Sequence, residues 1–232
     1  MLDKESYRAL KKSIVIRDSY EKMVEIPEEF LRFTPHPYQK LCAPYSEKSP
    51  FYLRESVVVC LRDAQKRLSV LKSGYRVKIF DAYRPIEVQK FMMEYDKNRL
   101  SNENYAQDFA LLPQTQKRAI DKIVSHFWSP IADDIASNPP PHATGGALDL
   151  TLVDERGVAL EMGSEIDELV EESSADYFDK TESLYKQNRN LLKNIMINAG
   201  FTQLPTEWWH FSYGDQIWAV DKGKESALFG LV

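Results

Sequence analysis

Two histidines and one carboxylate occupy positions from which they could share a metal ion. His142 is followed seven residues later by Asp149, and His210 closes the segment EWWH about sixty residues downstream. Such a set suits a catalytic zinc ion, which takes three protein ligands and leaves a fourth position for water. The Gly145 and Gly146 pair lets the chain turn back, so that a loop histidine and a strand aspartate can reach one ion. An ordinary glycine-rich loop with a capping aspartate and an exposed histidine explains this motif equally well.

Glu207 lies three residues before His210 and favours the metal hypothesis. Zinc lowers the pKa of a bound water to about 7, but amide hydrolysis also needs a base for the water proton and an acid for the leaving nitrogen. Residues i and i+3 of a regular strand point to opposite faces, so a bend or bulge at Trp208 and Trp209 is required. The alternative for EWWHF is an aromatic core strand with a surface glutamate.

Arg84, in the segment DAYRP, adds a fixed positive charge. Its planar fork of donors could stabilise the oxyanion of a tetrahedral intermediate or bind a substrate carboxylate, although this segment alone is a weak signal. The two remaining histidines have less suitable neighbours. His36 lies between two prolines in TPHPY, and His126 lies on the apolar stripe of a predicted helix. We therefore interpret both histidines as structural.

The hydrophobic pattern predicts helices and antiparallel strands around these residues. A strand that starts at Tyr75 ends near Arg84, because Pro85 prevents its continuation. A β-hairpin of residues 147–153 and 158–162 carries Asp149 on the face opposite to its leucines. Helical spacing of apolar residues predicts four helices, at residues 54–71, 86–97, 115–128 and 182–199. The absence of a βαβ rhythm favours a single α+β domain of residues 1–232, with a small antiparallel sheet flanked by helices.

The first 50 residues are predicted to form an extended arm around this domain. Prolines prevent long regular elements there, at Pro27, Pro35, Pro37 and Pro44. Such an arm is long enough to fold over a cleft. Together with the bulky Trp208 and Trp209 and the stiff triplet Pro139–Pro141, it predicts a closed site that excludes long peptide chains.

Composition and charge exclude several classes of function. The chain has 232 residues, of which 43% are hydrophobic, and a formal net charge of −5 with acidic and basic residues interleaved. These values predict a soluble globular protein with a small ligand and without a nucleic-acid partner. The N-terminus is charged from its third residue and no run approaches about 20 apolar residues, so we expect no secretory signal, no membrane span and a cytoplasmic location. Cys42 and Cys60 are too few for a disulfide framework.

Four ordered segments resemble those of the D-alanyl-D-alanine dipeptidases, the zinc peptidases of vancomycin resistance and of bacterial cell-wall recycling. The segments are DAYRP, HATGGALDLTL, LEMGSEID and EWWHF, which spread over residues 81–211. The family pattern is a serine, any residue, His-x-x-Gly-x-Ala-x-Asp and later Glu-x-Trp-His. Its residues are matched in order and spacing by His142, Gly145, Ala147, Asp149, Glu207, Trp209 and His210.

The resemblance implies one zinc ion bound by His142, Asp149 and His210. It also implies that Glu207 is the catalytic base and that Arg84 stabilises the transition state. The implied fold is the compact α+β fold shared with the hedgehog-like and lysostaphin-like metallopeptidases, and the implied substrate is a small dipeptide.

Pro140 departs from the family pattern, because it replaces the serine two residues before the first ligand. That serine lies near the amino end of the bound peptide, so the exact dipeptide preference is open. Three functions remain: a D,D-dipeptidase, a D,D- or L,D-carboxypeptidase acting on longer cell-wall stem peptides, and a zinc-stabilised binding module without turnover. Glu207 and Arg84 argue against the third, since a purely structural zinc site is closed by a fourth ligand and needs neither residue.

Overall fold

The computed structural model describes residues 4–45, 49–129, 131 and 133–232. Its strands are β1 Val15–Ile16, β2 Met23–Glu25, β3 Leu31–Arg32, β4 Tyr52–Arg54, β5 Arg76–Asp81, β6 Ala147–Val153, β7 Thr202–Gln203, β8 His210–Ser212 and β9 Ser226–Ala227. Its α-helices are α1 Lys4–Ser13, α2 Pro37–Lys40, α3 Glu55–Leu71, α4 Ile86–Tyr105, α5 Gln114–Phe127, α6 Leu184–Asn198 and α7 Gln216–Asp221. Three short 3-10 helices lie at Phe109–Leu111, Pro141–Thr144 and Glu171–Ser173.

A five-stranded sheet with the order β3-β5-β6-β8-β7 forms the centre of the molecule. Only β3 and β5 run parallel, and the other neighbouring strands of this sheet are antiparallel. The register places Asp149 of β6 between Asp81 of β5 and His210 of β8. This mixture of a mainly antiparallel sheet with helices confirms the predicted α+β class.

The central strand β6 separates two hydrophobic cores. Leu148, Leu150 and Leu152 are fully buried in the core that contains α3 and α6. The second core joins α4 and α5 to the α2 segment through Val88, Ile120 and other apolar side chains. Because side chains alternate along a strand, Asp149 points away from the leucine face. The sheet therefore offers Asp149 to the side on which α4 and α5 lie.

The predicted helices are present, with different bounds. The helix predicted at 86–97 extends to Tyr105, since Leu100 and Ser101 are buried and continue its inner face. It ends before Ala106, which has left-handed backbone geometry with φ 52°. None of the helices among the described ranges combines the length and apolarity that a membrane crossing needs.

The prediction of a second hairpin strand at residues 158–162 is wrong. Only an isolated bridge between Val153 and Ala159 is present. The turn is held by Asp154, whose carboxylate accepts the backbone N–H of Val158 at 2.8 Å. Beyond it, the carbonyl of Met162 accepts a hydrogen bond from the Nε of Arg189 at 2.6 Å. In a continued strand this carbonyl would accept the backbone N–H of Leu150, which donates instead to the carbonyl of Trp209 at 3.2 Å.

The N-terminal 50 residues are more regular than the predicted extended arm. The helix α1 forms before the first proline of the chain, so no proline restricts it. The rest of the segment joins the body through short strand pairs, with β1 parallel to β9, β2 antiparallel to β4 and β3 at the edge of the central sheet. The described part of this segment is consequently anchored along its length.

Candidate metal centre and active site

The three predicted ligands meet in one buried cluster. His142 lies on the 3-10 helix Pro141–Thr144, Asp149 on β6 and His210 at the start of β8. The Nε2 of His142 is 3.1 Å from the Nδ1 of His210 and 3.2 Å from an Asp149 carboxylate oxygen. The other Asp149 oxygen is 3.1 Å from the Nδ1 of His210. Ligand atoms about 2 Å from a tetrahedral zinc are about 3.3 Å apart, so the spacing of the two nitrogens and the carboxylate fits such an ion.

His142 is held in the tautomer that a metal requires. Its Nδ1 lies 2.7 Å from the carbonyl oxygen of Ala82. A carbonyl only accepts, so Nδ1 carries the proton and the lone pair of Nε2 faces Asp149 and His210. Lone pairs and a carboxylate that face one another at this distance repel unless a cation lies between them. The donor set is therefore suited to hold a cation.

The glycine pair shapes the turn that brings His142 and Asp149 together. Gly145 follows the 3-10 helix with φ 72°, in the left-handed region that favours glycine. A Cβ on Gly145 would clash with the side chain of Met23, and one on Gly146 would clash with the carbonyl of Tyr213. A side chain is therefore strained at Gly145 by the backbone conformation and excluded at Gly146 by a backbone atom.

Glu207 lies beside the cluster because the chain bends where the sequence required it. Turns at residues 205–206 and 208–209 precede β8, which begins only at His210. A carboxylate oxygen of Glu207 is 3.7 Å from the Nδ1 of His210, and both side chains are buried. The predicted bend at Trp208 and Trp209 is present, and it resolves the i, i+3 difficulty.

Arg84 is fixed next to the ligand carboxylate. Its Nε donates to Asp81 at 2.8 Å, and its Nη1 donates to Gln89 at 3.1 Å. Its Nη2 donates to the hydroxyl of Tyr38 at 3.0 Å and to Asp149 at 3.2 Å. Burial would lower the pKa of Arg84, but Tyr38, Asp81 and Asp149 raise it well above its usual value. The guanidinium therefore stays charged inside the site.

The ligand Asp149 has a depressed pKa. Burial opposes ionisation of its carboxyl, but His142 and His210 outweigh burial and hold the pKa well below its usual range. A carboxylate that stays ionised in a buried site is suited to bind a cation.

The two histidines interpreted as structural lie outside the cluster. His36 is buried, with its Nε2 3.2 Å from an oxygen of Asp81. It therefore contacts the carboxylate that holds Arg84. His126 is exposed on α5, and its predicted position on the apolar stripe is wrong. The apolar face of α5 is formed by Ile120 and Val124.

Asp167 is the site residue whose role the sequence left unassigned. It closes the segment MGSEID, and its carboxylate accepts a hydrogen bond from the hydroxyl of Tyr38. Desolvation and then the charge of Asp149 raise the pKa of Asp167 to about 8, against the effect of Arg84. The match of MGSEID to the family block was the available signal. No local pattern identifies Tyr38 or Gln89, which reach Arg84 only through the tertiary fold.

A narrow cleft opens onto these groups. Its polar wall includes Arg84, Asp167 and Glu207, beside the three candidate ligands. Pro140, the residue that replaces the family serine, also lines this cleft. The arrangement places a cation site, a basic carboxylate and a fixed positive charge around one small space, which is the equipment for hydrolysing an amide.

Comparisons of the sequence with known proteins agree with this chemistry. The family model described as D-ala-D-ala dipeptidase matches residues 32–225, a span that contains all five predicted site residues. The chain is 38% identical over 218 residues to a D-alanyl-D-alanine dipeptidase of Synechocystis sp., covering 89% of this chain and 87% of the relative. It is 32% identical over 147 residues to the D-alanyl-D-alanine dipeptidase of Escherichia coli, covering 63% and 60% of the two chains. Comparison with the solved structure of the LdcB LD-carboxypeptidase gives a TM-score of 0.45 at 15% identity, covering 91% of this chain and 81% of that one.

Proposed function

This chain belongs to the D-alanyl-D-alanine dipeptidase family of metallopeptidases, and we propose that it is a zinc enzyme that hydrolyses D-alanyl-D-alanine or a similar free dipeptide. The observation that carries the proposal is the buried cluster of His142, Asp149 and His210 with Glu207 beside it. Two imidazoles and one carboxylate are a common ligand set of catalytic zinc. When bound, the ion would polarise the scissile carbonyl and lower the pKa of water at the site.

Glu207 is the general base of the proposed reaction. From its place beside His210 it accepts the proton of the attacking water and returns it to the leaving amine. The two proton transfers need one carboxylate that is close to the cluster without occupying a ligand position. Its distance of 3.7 Å from the Nδ1 of His210 is consistent with that place.

Arg84 and Asp167 pair with the two charges of the reacting substrate, the developing oxyanion and the ammonium group. The guanidinium of Arg84 stabilises the negative charge that develops on the carbonyl oxygen. A free dipeptide carries an ammonium group near the scissile bond, and burying it without an anionic partner would cost several kcal/mol. Asp167 supplies such a partner on the wall of the cleft, and a bound ammonium favours its ionised form.

The metal site is tested by elemental analysis of purified variants. We expect about one zinc per chain in the wild type and loss of zinc in His142→Ala and His210→Ala, since each removes one of three ligands. His126→Ala, on the exposed face of α5, is the matched control and should keep its zinc. Full zinc occupancy in either ligand variant would show that the ligand assignment is wrong.

The base is tested by Glu207→Ala. This variant should keep its zinc and its thermal stability while kcat falls by about 10²- to 10⁴-fold, the usual effect of removing a general base. Glu155→Ala, in the exposed turn after β6, serves as the control and should retain wild-type turnover. Near wild-type kcat in Glu207→Ala would remove Glu207 from the mechanism.

A further inference from the structure

Ser212 and Asp215 form a hydrogen-bonded series behind His210, on the side away from the other candidate ligands. The Nε2 of His210 is 3.2 Å from the hydroxyl oxygen of Ser212. That hydroxyl donates to a carboxylate oxygen of Asp215 at 2.7 Å. All three side chains are buried, and Ser212 is fully enclosed. These contacts take no part in the steps proposed above.

The carboxylate of Asp215 determines the direction of each hydrogen bond in this series, because it can only accept. The Oδ1 of Asp215 accepts the backbone N–H of Trp218 at 2.9 Å, and its Oδ2 accepts the hydroxyl of Ser212. A hydroxyl has one proton, so Ser212 offers only a lone pair to His210. The Nε2 of His210 must then carry its proton. The lone pair of a neutral imidazole is consequently on Nδ1, the atom that faces His142 and Asp149.

We infer that Ser212 and Asp215 are positioning residues that hold His210 in the tautomer and orientation needed to bind the metal through Nδ1. The inference rests on the proposed zinc site. Partners beyond the ligands commonly fix the tautomer of metal-binding histidines, and their loss costs about 10- to 100-fold in metal affinity. The tautomer of His142 is fixed by the backbone carbonyl of Ala82, which no substitution can remove. At His210 two side chains do this work.

The local fold holds the two positioning residues in place. Ser212 is the last residue of β8, and Asp215 is the N-cap of α7. Gly214 between them has φ 73°, and a Cβ there would clash with the ring of Phe229. The tight turn therefore brings the cap of α7 back to the end of the strand that carries His210.

Asp215→Asn is the informative substitution, because it keeps the shape of the side chain. The N–H of Trp218 selects the amide oxygen at the cap, so the amide NH2 faces Ser212. The hydroxyl then accepts from the amide and donates to the Nε2 of His210. The proton of the imidazole moves to Nδ1, where it blocks the metal. We therefore expect Asp215→Asn to weaken zinc binding more than Ser212→Ala, which only removes the partner of Nε2.

The experiment measures zinc dissociation constants by competition with a chromogenic chelator, together with the melting temperature of each metal-free protein. We expect about a 10-fold weaker affinity for Ser212→Ala and about a 100-fold weaker affinity for Asp215→Asn. The double variant lacks the serine hydroxyl that would donate to the Nε2 of His210. Its zinc affinity should therefore return to that of Ser212→Ala. Thr202→Ala is the matched control. Thr202 pairs with Ser212 in the sheet and donates to Asp221 at 2.8 Å, and its loss should leave zinc affinity unchanged.

Two results would overturn the inference while leaving the zinc site in place. One is wild-type zinc affinity in Ser212→Ala, which decides the question even if Asp215→Asn fails to fold. The other is an Asp215→Asn penalty that is the same with and without Ser212, because a purely structural role of the cap predicts that result. If His210→Ala loses zinc while both variants bind it normally, only the positioning role fails. If the wild type itself binds no zinc, the zinc site and the positioning role fail together.

Discussion

The guanidinium of Arg84 joins residues from four elements of the fold. Its partners are Asp81 at the end of β5, Gln89 on α4, Tyr38 on α2 and Asp149 on β6. These contacts use all three nitrogens of a planar group, each in a different direction. A single ammonium cannot reproduce this arrangement, since it is a point charge on a flexible stem. The environment of Arg84 thus depends on the shape of the side chain as well as on its charge.

Arg84→Lys should lose most activity while keeping its zinc. We expect kcat to fall by about 10²- to 10³-fold, the range seen when one donor to a developing oxyanion is lost, with a smaller change in KM. Steady-state kinetics on D-alanyl-D-alanine check this expectation. Arg67→Lys, in an exposed ion pair with Asp63, is the control for the substitution itself. A rise in KM at constant kcat would make Arg84 a substrate anchor instead.

The segment of residues 154–183, between β6 and α6, has only one short 3-10 helix, yet it carries Asp167. Arg189 of α6 holds this segment by donating to the carbonyls of Met162 at 2.6 Å, Glu172 at 2.7 Å and Ser174 at 2.8 Å. Burial lowers the pKa of Arg189 to about 10, which still leaves it charged at neutral pH. One buried side chain therefore replaces the backbone pairing that a strand would have supplied.

Arg189→Lys should loosen the segment and displace Asp167. The lysine ammonium cannot donate to three carbonyls that lie in different directions. We therefore expect a lower melting temperature and a several-fold higher KM for free dipeptides. In an Asp167→Asn background the same substitution should leave KM almost unchanged, because the group it positions is already altered. Arg156→Lys, on the exposed turn after β6, is the control. Additive effects on KM in the double variant would contradict this role for Arg189.

The sequence was a good guide to local order and a poor guide to long-range polar contacts. The spacing of His142, Asp149 and His210 could be read directly, because a glycine turn and strand register bring them together. The strand predicted at 158–162 is wrong, since the backbone N–H of Leu150 that its end would have paired with donates to the carbonyl of Trp209, which comes from a distant part of the chain. The link from Ser212 to Asp215 spans three residues, but its meaning depends on the tautomer of a histidine, which no residue pattern encodes.

Two segments far apart in sequence support residues of the site from outside the cleft. Tyr38, from the N-terminal segment, contacts Arg84 and Asp167. The backbone N–H of Val232 donates to the carbonyl of Ala143, next to the candidate ligand His142. Neither of them lines the cleft itself, and among the described residues none of the first 50 positions does, so the N-terminal segment does not close the cleft as an arm folded over it would. The rigid side chains that do line it are Trp128, Pro140, Pro141 and Trp209, and a cleft with such walls is expected to select its substrate by length.

We expect free D,D-dipeptides to be hydrolysed and N-acetylated dipeptides or pentapeptide stems to be poor substrates. Acylation removes the ammonium charge that pairs with Asp167 in the proposed mechanism and adds bulk in a narrow cleft. The loss of a buried charged contact costs several kcal/mol, so kcat/KM should fall by at least about 100-fold.

The measurement compares kcat/KM for free, N-acetylated and longer peptides, in the wild type and in Asp167→Asn. Asp167→Asn should reduce activity on the free dipeptide and narrow the difference between free and acetylated substrates, because the carboxylate that distinguishes them is gone. Pro140 cannot donate the hydrogen bond of the family serine, which is worth about 0.5 to 1.5 kcal/mol, so an elevated KM for the free dipeptide is consistent with the same cleft. Equal rates on free and acylated substrates would mean that the cleft is open at its amino side. The carboxypeptidase hypothesis would then replace the dipeptidase, whereas an absence of turnover on every peptide in zinc-loaded protein would favour the binding module.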